Sequence, residues 1–188
     1  INNFKPDFIF FPHWSWKIPK NIYIKYNCIL FHSSPLPYGR GGSPIQNLIL
    51  ENFKKTPVCA LKVCSKIDQG DILCKSIISL SGNLSQIFKR INLSINKLIL
   101  KIISKDLTPT PQIGKAKIFK RLSEKDNIIP INLPINKLYD RIRMLDHVEY
   151  PNPNLTIGKY YLEFFNPTKI KGKIRCNVFI SIKSNSKN

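Results

Sequence analysis

The sequence predicts an α/β domain followed by a small helix-plus-β module. Three observations predict it. Two short apolar runs, residues 7–11 and 28–32, read as buried strands that end in polar loops. A long stripe of Leu84, Ile87, Phe88, Ile91, Ile95, Leu98, Ile99 and Ile102 repeats at helical spacing. Beyond a linker marked by Pro109 and Pro111 come a shorter helical pattern and two alternating runs. The chain has 188 residues and is 43% hydrophobic, enough for one core and a small appended module.

The elements follow in order. Between the first two strands, Pro12 and Pro19 with their aromatic neighbours predict a loop and a short helical turn. Residues 33–42, rich in Pro and Gly, predict a loop. Ser43-Pro44 predicts a helix start, with Ser as cap and Pro in the first turn, and Ile45, Leu48 and Ile49 form its apolar stripe. Residues 58–65 and 71–80 read as strands around a turn at Asp68-Gln69-Gly70. Helices are predicted over 83–104 and 135–146, and antiparallel strands over 160–165 and 173–182. The composition shift divides the chain into residues 1–108, residues 109–183 and a disordered tail, 184–188. The chain starts at Ile1 without Met and enters a strand almost at once, which predicts that part of the domain lies upstream.

Net charge is +19 and the isoelectric point about 9.9. Such a balance suits an acidic partner: tRNA, a nucleotide-linked sugar, a polyglutamyl folate or a membrane surface. The excess is mostly Lys, spread along the whole chain with abundant Asn and Ile, so compositional drift explains it without a partner. Five Cys, an odd number with three in apolar runs, argue against a disulfide framework and for a reducing cytoplasm. Their spacing predicts no metal site. No apolar run is long enough to cross a bilayer.

Three features carry chemistry. His32 stands where a strand meets the stiff loop from Ser33 to Pro44, and ligands of open α/β sheets bind at strand carboxyl ends. Asp68 sits in a turn between two apolar strands. Pro12-His13-Trp14-Ser15-Trp16-Lys17-Ile18-Pro19 leaves the first strand at the same edge. Each alone has an ordinary structural explanation; their joint order and spacing do not.

That order resembles the formyltransferases that use 10-formyltetrahydrofolate. Their hallmark resembles Asn-x-His-x-Ser-Leu-Leu-Pro-x-x-Arg-Gly, then Pro-Ile-Gln, then Asp-x-Gly-Asp-Ile-Leu. Here the stretches are His32-Ser33-Ser34-Pro35-Leu36-Pro37-Tyr38-Gly39-Arg40-Gly41, Pro44-Ile45-Gln46 and Asp68-Gln69-Gly70-Asp71-Ile72-Leu73. Pro6-Asp7, Ile18-Pro19, the run from Arg141 to Asp146 and Tyr150-Pro151 match as well, so the resemblance covers residues 5–165. The versions at Pro12–Ser15 and Gly39–Pro44 look most like a small branch of sugar N-formyltransferase-like proteins.

The resemblance implies a Rossmann-like formyltransferase catalytic domain in residues 1–108. It implies transfer of a formyl group from 10-formyltetrahydrofolate, with no metal, to an amino group. The acceptor expected first is a nucleotide-linked amino sugar. The alternatives are methionyl-tRNA and a degenerate folate-binding paralogue without turnover. A homodimer is compatible with all three. His32 and Asp68 take the catalytic roles, and Trp14, Trp16, Lys17, Ile18, Pro37, Ile67 and Asp68 hold the folate. One departure stands out: the family's Asn two residues before the His is Leu30 here. Leu donates no hydrogen bond, and losing an oxyanion donor costs about a hundred- to a thousand-fold. His13, at the neighbouring strand end, is the candidate to supply that donor.

Overall fold

The apolar runs become a four-stranded sheet because each can bury one face against a helix. A computed structural model describes residues 4–182. The predicted tail, 184–188, lies outside the described residues. Strands β1 (Ile9–Phe11) and β2 (Cys28–His32) run parallel, with the short helix α1 (Lys20–Tyr23) in the crossover. Strand β2 also pairs antiparallel with β4 (Lys55–Lys62), which pairs antiparallel with β5 (Ile72–Ser79). The order is β1-β2-β4-β5, so the sheet is mixed, with its parallel pair at one edge.

Helices α2 (Pro44–Leu50) and α3 (Leu84–Ser104) cover one face. The predicted stripe of α3 is the core: Leu84, Ile87, Ile91, Ile95, Leu98 and Ile102 are buried against Ile29 and Phe31 of β2, Val58 and Ala60 of β4, and Ile78 of β5. Each such side chain contributes about 1.5–3 kcal/mol by leaving water. Helix α3 starts where predicted because Asn83 and Gln86 form a capping box: each side chain accepts the other's backbone N–H.

Two local expectations change. Ser43 precedes α2, but its φ is +48° and its side chain makes no cap bond. The Ser43 hydroxyl instead accepts the backbone N–H of Leu122, 3.0 Å away. The supposed loop 33–42 contains a strand, β3 (Tyr38–Gly41), paired in parallel with β6 (Lys117–Phe119). Periodicity cannot reveal β3, because two of its four residues are Gly. The segment after Pro109 therefore returns to the first unit, and Gln112 lies in it.

The C-terminal part holds a 3₁₀ turn (Glu124–Asn127), helix α4 (Ile135–Arg143) and an antiparallel sheet β7-β8-β9 (Asn154–Ile157, Tyr160–Ile170, Lys173–Ile182). Two buried ionic side chains dock it. Arg143 donates to Asp140 at 2.7 Å and to the carbonyls of Leu80 and Gly82, at the corner where β5 leads to α3. Asp146 accepts from the Asn83 side chain and from the backbone N–H of Asn166 in β8. The late motif read between Arg141 and Asp146 thus supplies the seam between the two parts. Replacing Arg143 by Leu leaves Asp140 buried without its cation, which costs about 3–5 kcal/mol. Urea unfolding of Arg143→Leu is expected to show that loss, and a loss under 1 kcal/mol would refute this account of the seam.

Candidate active site

The site is built at the carboxyl ends of β1 and β2, where two loops leave the sheet. His32 ends β2 and is 8% exposed. Its Nε2 lies 2.7 Å from the carbonyl oxygen of Gly39. A carbonyl only accepts, so Nε2 is the donor there, and Nδ1 is turned to Asp68. Nδ1 stands 3.6 Å from Asp68 Oδ2. That gap exceeds a hydrogen bond. Gly39 has φ +82°, and a Cβ there would meet Phe119 at 2.7 Å and Ser34 at 2.9 Å, so the loop that holds His32 has no room for a side chain.

Asp68 is 7% exposed and has φ +53°, a left-handed conformation that costs a non-glycine residue about 1–2 kcal/mol. Its Oδ2 accepts the backbone N–H of Gly41 at 2.8 Å. Its own carbonyl accepts from the Gln112 side chain at 2.8 Å, as does that of Gly70 at 2.9 Å. Gln112 Oε1 in turn accepts two N–H bonds from Arg40. A side chain at Gly70 would place Cβ 1.6 Å from the Lys62 carbonyl, so the turn fits only glycine.

Two cavities meet at His32. The smaller, about 290 Å³, is lined by Trp14, Trp16, Lys17, Ile18, Leu30, Ile67 and Asp68 as well as His32. Trp16 is 79% exposed and Ile67 65%, so apolar faces flank an open cleft, with buried Ile18 as its floor. The larger, about 640 Å³, runs from His32 past His13, Gln46, Phe88 and Asn92 to His147 and Tyr150. Among the expected folate-binding residues, all but Pro37 line the smaller cavity. Pro37 is buried behind it, where its carbonyl accepts the Lys117 N–H of β6.

His13 also has a left-handed backbone, φ +50°. It lines the larger cavity with His32, and its Nε2 lies 2.5 Å from Asn92 Oδ1 on α3. The ring packs edge-on against Phe88 at 5.7 Å. Leu30 packs with Leu36, Cys59 and Leu61 in a small apolar cluster on the far face of the sheet and lines the smaller cavity. Sequence reasoning missed Gln112, Asn92 and Arg121. Gln112 and Arg121 lie in irregular segments, and Asn92 lies on the polar side of α3; no local pattern marks any of them.

The fold and the site define a class: an α/β domain with an imidazole and a carboxylate facing each other where two clefts meet at the sheet edge. The comparisons agree with that class. Residues 124–181 match the family model for the C-terminal domain of methionyl-tRNA formyltransferase. Methionyl-tRNA formyltransferase of Campylobacter curvus is 31% identical over 163 residues, covering 85% of this chain and 54% of the relative. The solved methionyl-tRNA formyltransferase from Clostridium thermocellum superposes with a TM-score of 0.90 at 42% identity, covering 94% of this chain and 78% of that one. HypX from Aquifex aeolicus, solved in complex with tetrahydrofolic acid, shares the fold: TM-score 0.77 and 18% identity over 88% of this chain and 30% of that one. The chain belongs to the formyltransferase family that includes the methionyl-tRNA formyltransferases. It spans about half the length of the curated relatives it matches. No helix among the described residues is long and apolar enough to cross a membrane.

All five thiols are free. Burial pushes the Cys59 thiol up to about 11, so at pH 8 it stays protonated and unreactive. Cys64, by contrast, is exposed on the wall of the smaller cavity. A thiol reagent at pH 8 is expected to label Cys64 first and Cys59 only on unfolding; peptide mapping of the labelled chain checks the order.

Proposed function

We propose that this chain carries the site of an N-formyltransferase that moves a formyl group from 10-formyltetrahydrofolate to a primary amine. The observation that carries the reading is the position of His32, which lines both cavities while its Nδ1 faces Asp68. The pterin is flat and amide-like. It suits the smaller cavity, where Trp14 and Trp16 offer ring faces and the backbone at 16–18 offers an edge. The formyl group then points at His32, and the amine arrives through the larger cavity. Its attack pushes the carbonyl electrons onto oxygen. With Nε2 bound to the Gly39 carbonyl, the imidazole acts from its Asp68 side: its positive charge, when Nδ1 is protonated, stabilises the oxyanion, and the His32–Asp68 pair returns a proton as the folate nitrogen leaves.

Methionyl-tRNA is the acceptor we favour, ahead of the nucleotide-linked amino sugar expected from sequence. The relatives carry that name. The larger cavity supports it further: in a chain of net charge +19, its wall includes Arg121 but no Lys, and two carboxylates, Glu124 and Glu149. Ile45, Phe88, Ile91 and Leu145 give it an apolar side. Such a wall suits an α-amine beside an apolar side chain. A diphosphate buried there would find one cation.

The test incubates the chain with 10-formyltetrahydrofolate and either methionyl-tRNA or a nucleotide-linked amino sugar, with products read by mass spectrometry. Formylmethionyl-tRNA is the expected product. Formylated sugar would replace our acceptor, and folate binding by calorimetry without either product would leave a degenerate binder. His32→Ala and Asp68→Asn are each expected to lose about 100- to 10,000-fold in kcat with folate affinity within a few-fold.

A further inference from the structure

His13 and His32 each commit Nε2 to an oxygen, and the two partners differ. For His32 the partner is the Gly39 carbonyl, and Nδ1 faces a carboxylate. For His13 the partner is the Asn92 side-chain oxygen at 2.5 Å. An amide oxygen only accepts, so His13 carries its proton on Nε2. Its Nδ1 has no hydrogen-bond partner among the described residues. A neutral ring held this way offers a lone pair at Nδ1, not a donor. In this tautomer Nδ1 is an acceptor, a role different from the donor expected at His13 from sequence.

We propose that His13 is the base that takes the proton from the acceptor amine, and that Asn92 is the positioning residue that fixes the proton on Nε2 and leaves Nδ1 free. This rests on the formyl-transfer reading above. The step balances. The amine nitrogen bonds to the formyl carbon as the carbonyl pair moves to oxygen, and the amine's proton passes to His13 Nδ1. The carbonyl re-forms as the bond from carbon to the folate nitrogen breaks. That nitrogen takes its proton from the His32–Asp68 pair, and solvent resets both imidazoles.

Independent features point to the same residue. His13 holds φ +50°, a conformation uncommon outside glycine that, where the surroundings enforce it, clusters at functional sites. Phe88 packs edge-on to the ring, and with the Asn92 bond it leaves the imidazole little rotational freedom. The side chain lines the larger cavity, the one assigned to the amine. The titratable and charged groups sharing that cavity are His32, His147, Glu124, Glu149, Tyr150 and Arg121. The two glutamates favour the ammonium form on arrival; its first proton leaves to solvent, and the proton that His13 takes is the one the free amine sheds as it attacks.

The experiment uses the whole chain in three readouts. Long-range ¹H–¹⁵N NMR of the imidazoles is expected to show His13 protonated on Nε2 in the wild type and a tautomer mixture in Asn92→Leu. His13→Asn, chosen because Asn tolerates a positive φ, is expected to lose about 100-fold or more in kcat, with folate affinity by calorimetry unchanged. Asn92→Leu is expected to lose roughly tenfold, with Asn92→Asp restoring much of it because a carboxylate oxygen also accepts from Nε2. A wild-type His13 protonated on Nδ1 overturns the tautomer argument. A His13→Asn variant with wild-type kcat overturns the base assignment. A wild type that formylates no amine overturns the formyl-transfer reading and the base with it, while the NMR result still decides the role of Asn92.

Discussion

One carboxylate oxygen ties the site together. Asp68 Oδ2 accepts the Gly41 backbone N–H while facing the imidazole of His32, so the Gly-rich loop and the turn between β4 and β5 are joined through a single atom. The loop needs that tie because it pairs only with the short strand β6. The turn needs its own, which Gln112 supplies from a third segment by bonding the carbonyls of Asp68 and Gly70. Three stretches distant in the chain thus converge on Asp68, two at its carboxylate and one at its backbone carbonyl. Because Gly41 holds the carboxylate and Gly39 holds the imidazole, both distances are fixed by backbone, which does not change rotamer.

The strain in the structure gathers at the same place. Among the described residues, six non-glycine residues have positive φ, and His13, Ser43 and Asp68 of these line one cavity or the other. Each such conformation costs about 1–3 kcal/mol and lasts only where the surroundings dictate it. Here they do. Asn92 and Phe88 hold His13, Leu122 holds Ser43, and Gly41 with Gln112 holds Asp68. The buried stripe of α3 and the sheet beneath supply the stability against which this strain is set.

The sequence made some of this legible and hid the rest for definite reasons. The α3 stripe was legible because one face is buried from Leu84 to Ile102, about five turns, and periodicity records burial. β2 was legible to the residue because it is apolar and closes on His32. His32, Asp68 and the aromatic loop stood out as a set through spacing that resembles a family pattern. β3 was hidden because glycine carries no pattern, and Ser43 imitated a cap that its left-handed backbone forbids. Gln112 and Asn92 were hidden because their work is done across 42 to 79 residues of chain. A polar side chain on a helix surface or in a linker reads as solvated until the fold shows what it meets.

Net charge gave the weakest signal, and the cavities explain why. A charge of +19 acts at long range, as a field that attracts any polyanion. Recognition of the reacting end is short-range, and there the sign reverses: the larger cavity has Glu124 and Glu149 against Arg121. On the proposed reading the two scales divide the task. The outer surface gathers the phosphates of the acceptor, whose attraction weakens with salt. The cavity receives an ammonium beside two carboxylates and a neutral imidazole, where repulsion from the chain's own lysines would otherwise disfavour it. Composition reports only the first scale, so the more informative quantity is the charge of the residues that line the cavity, which no sequence total contains.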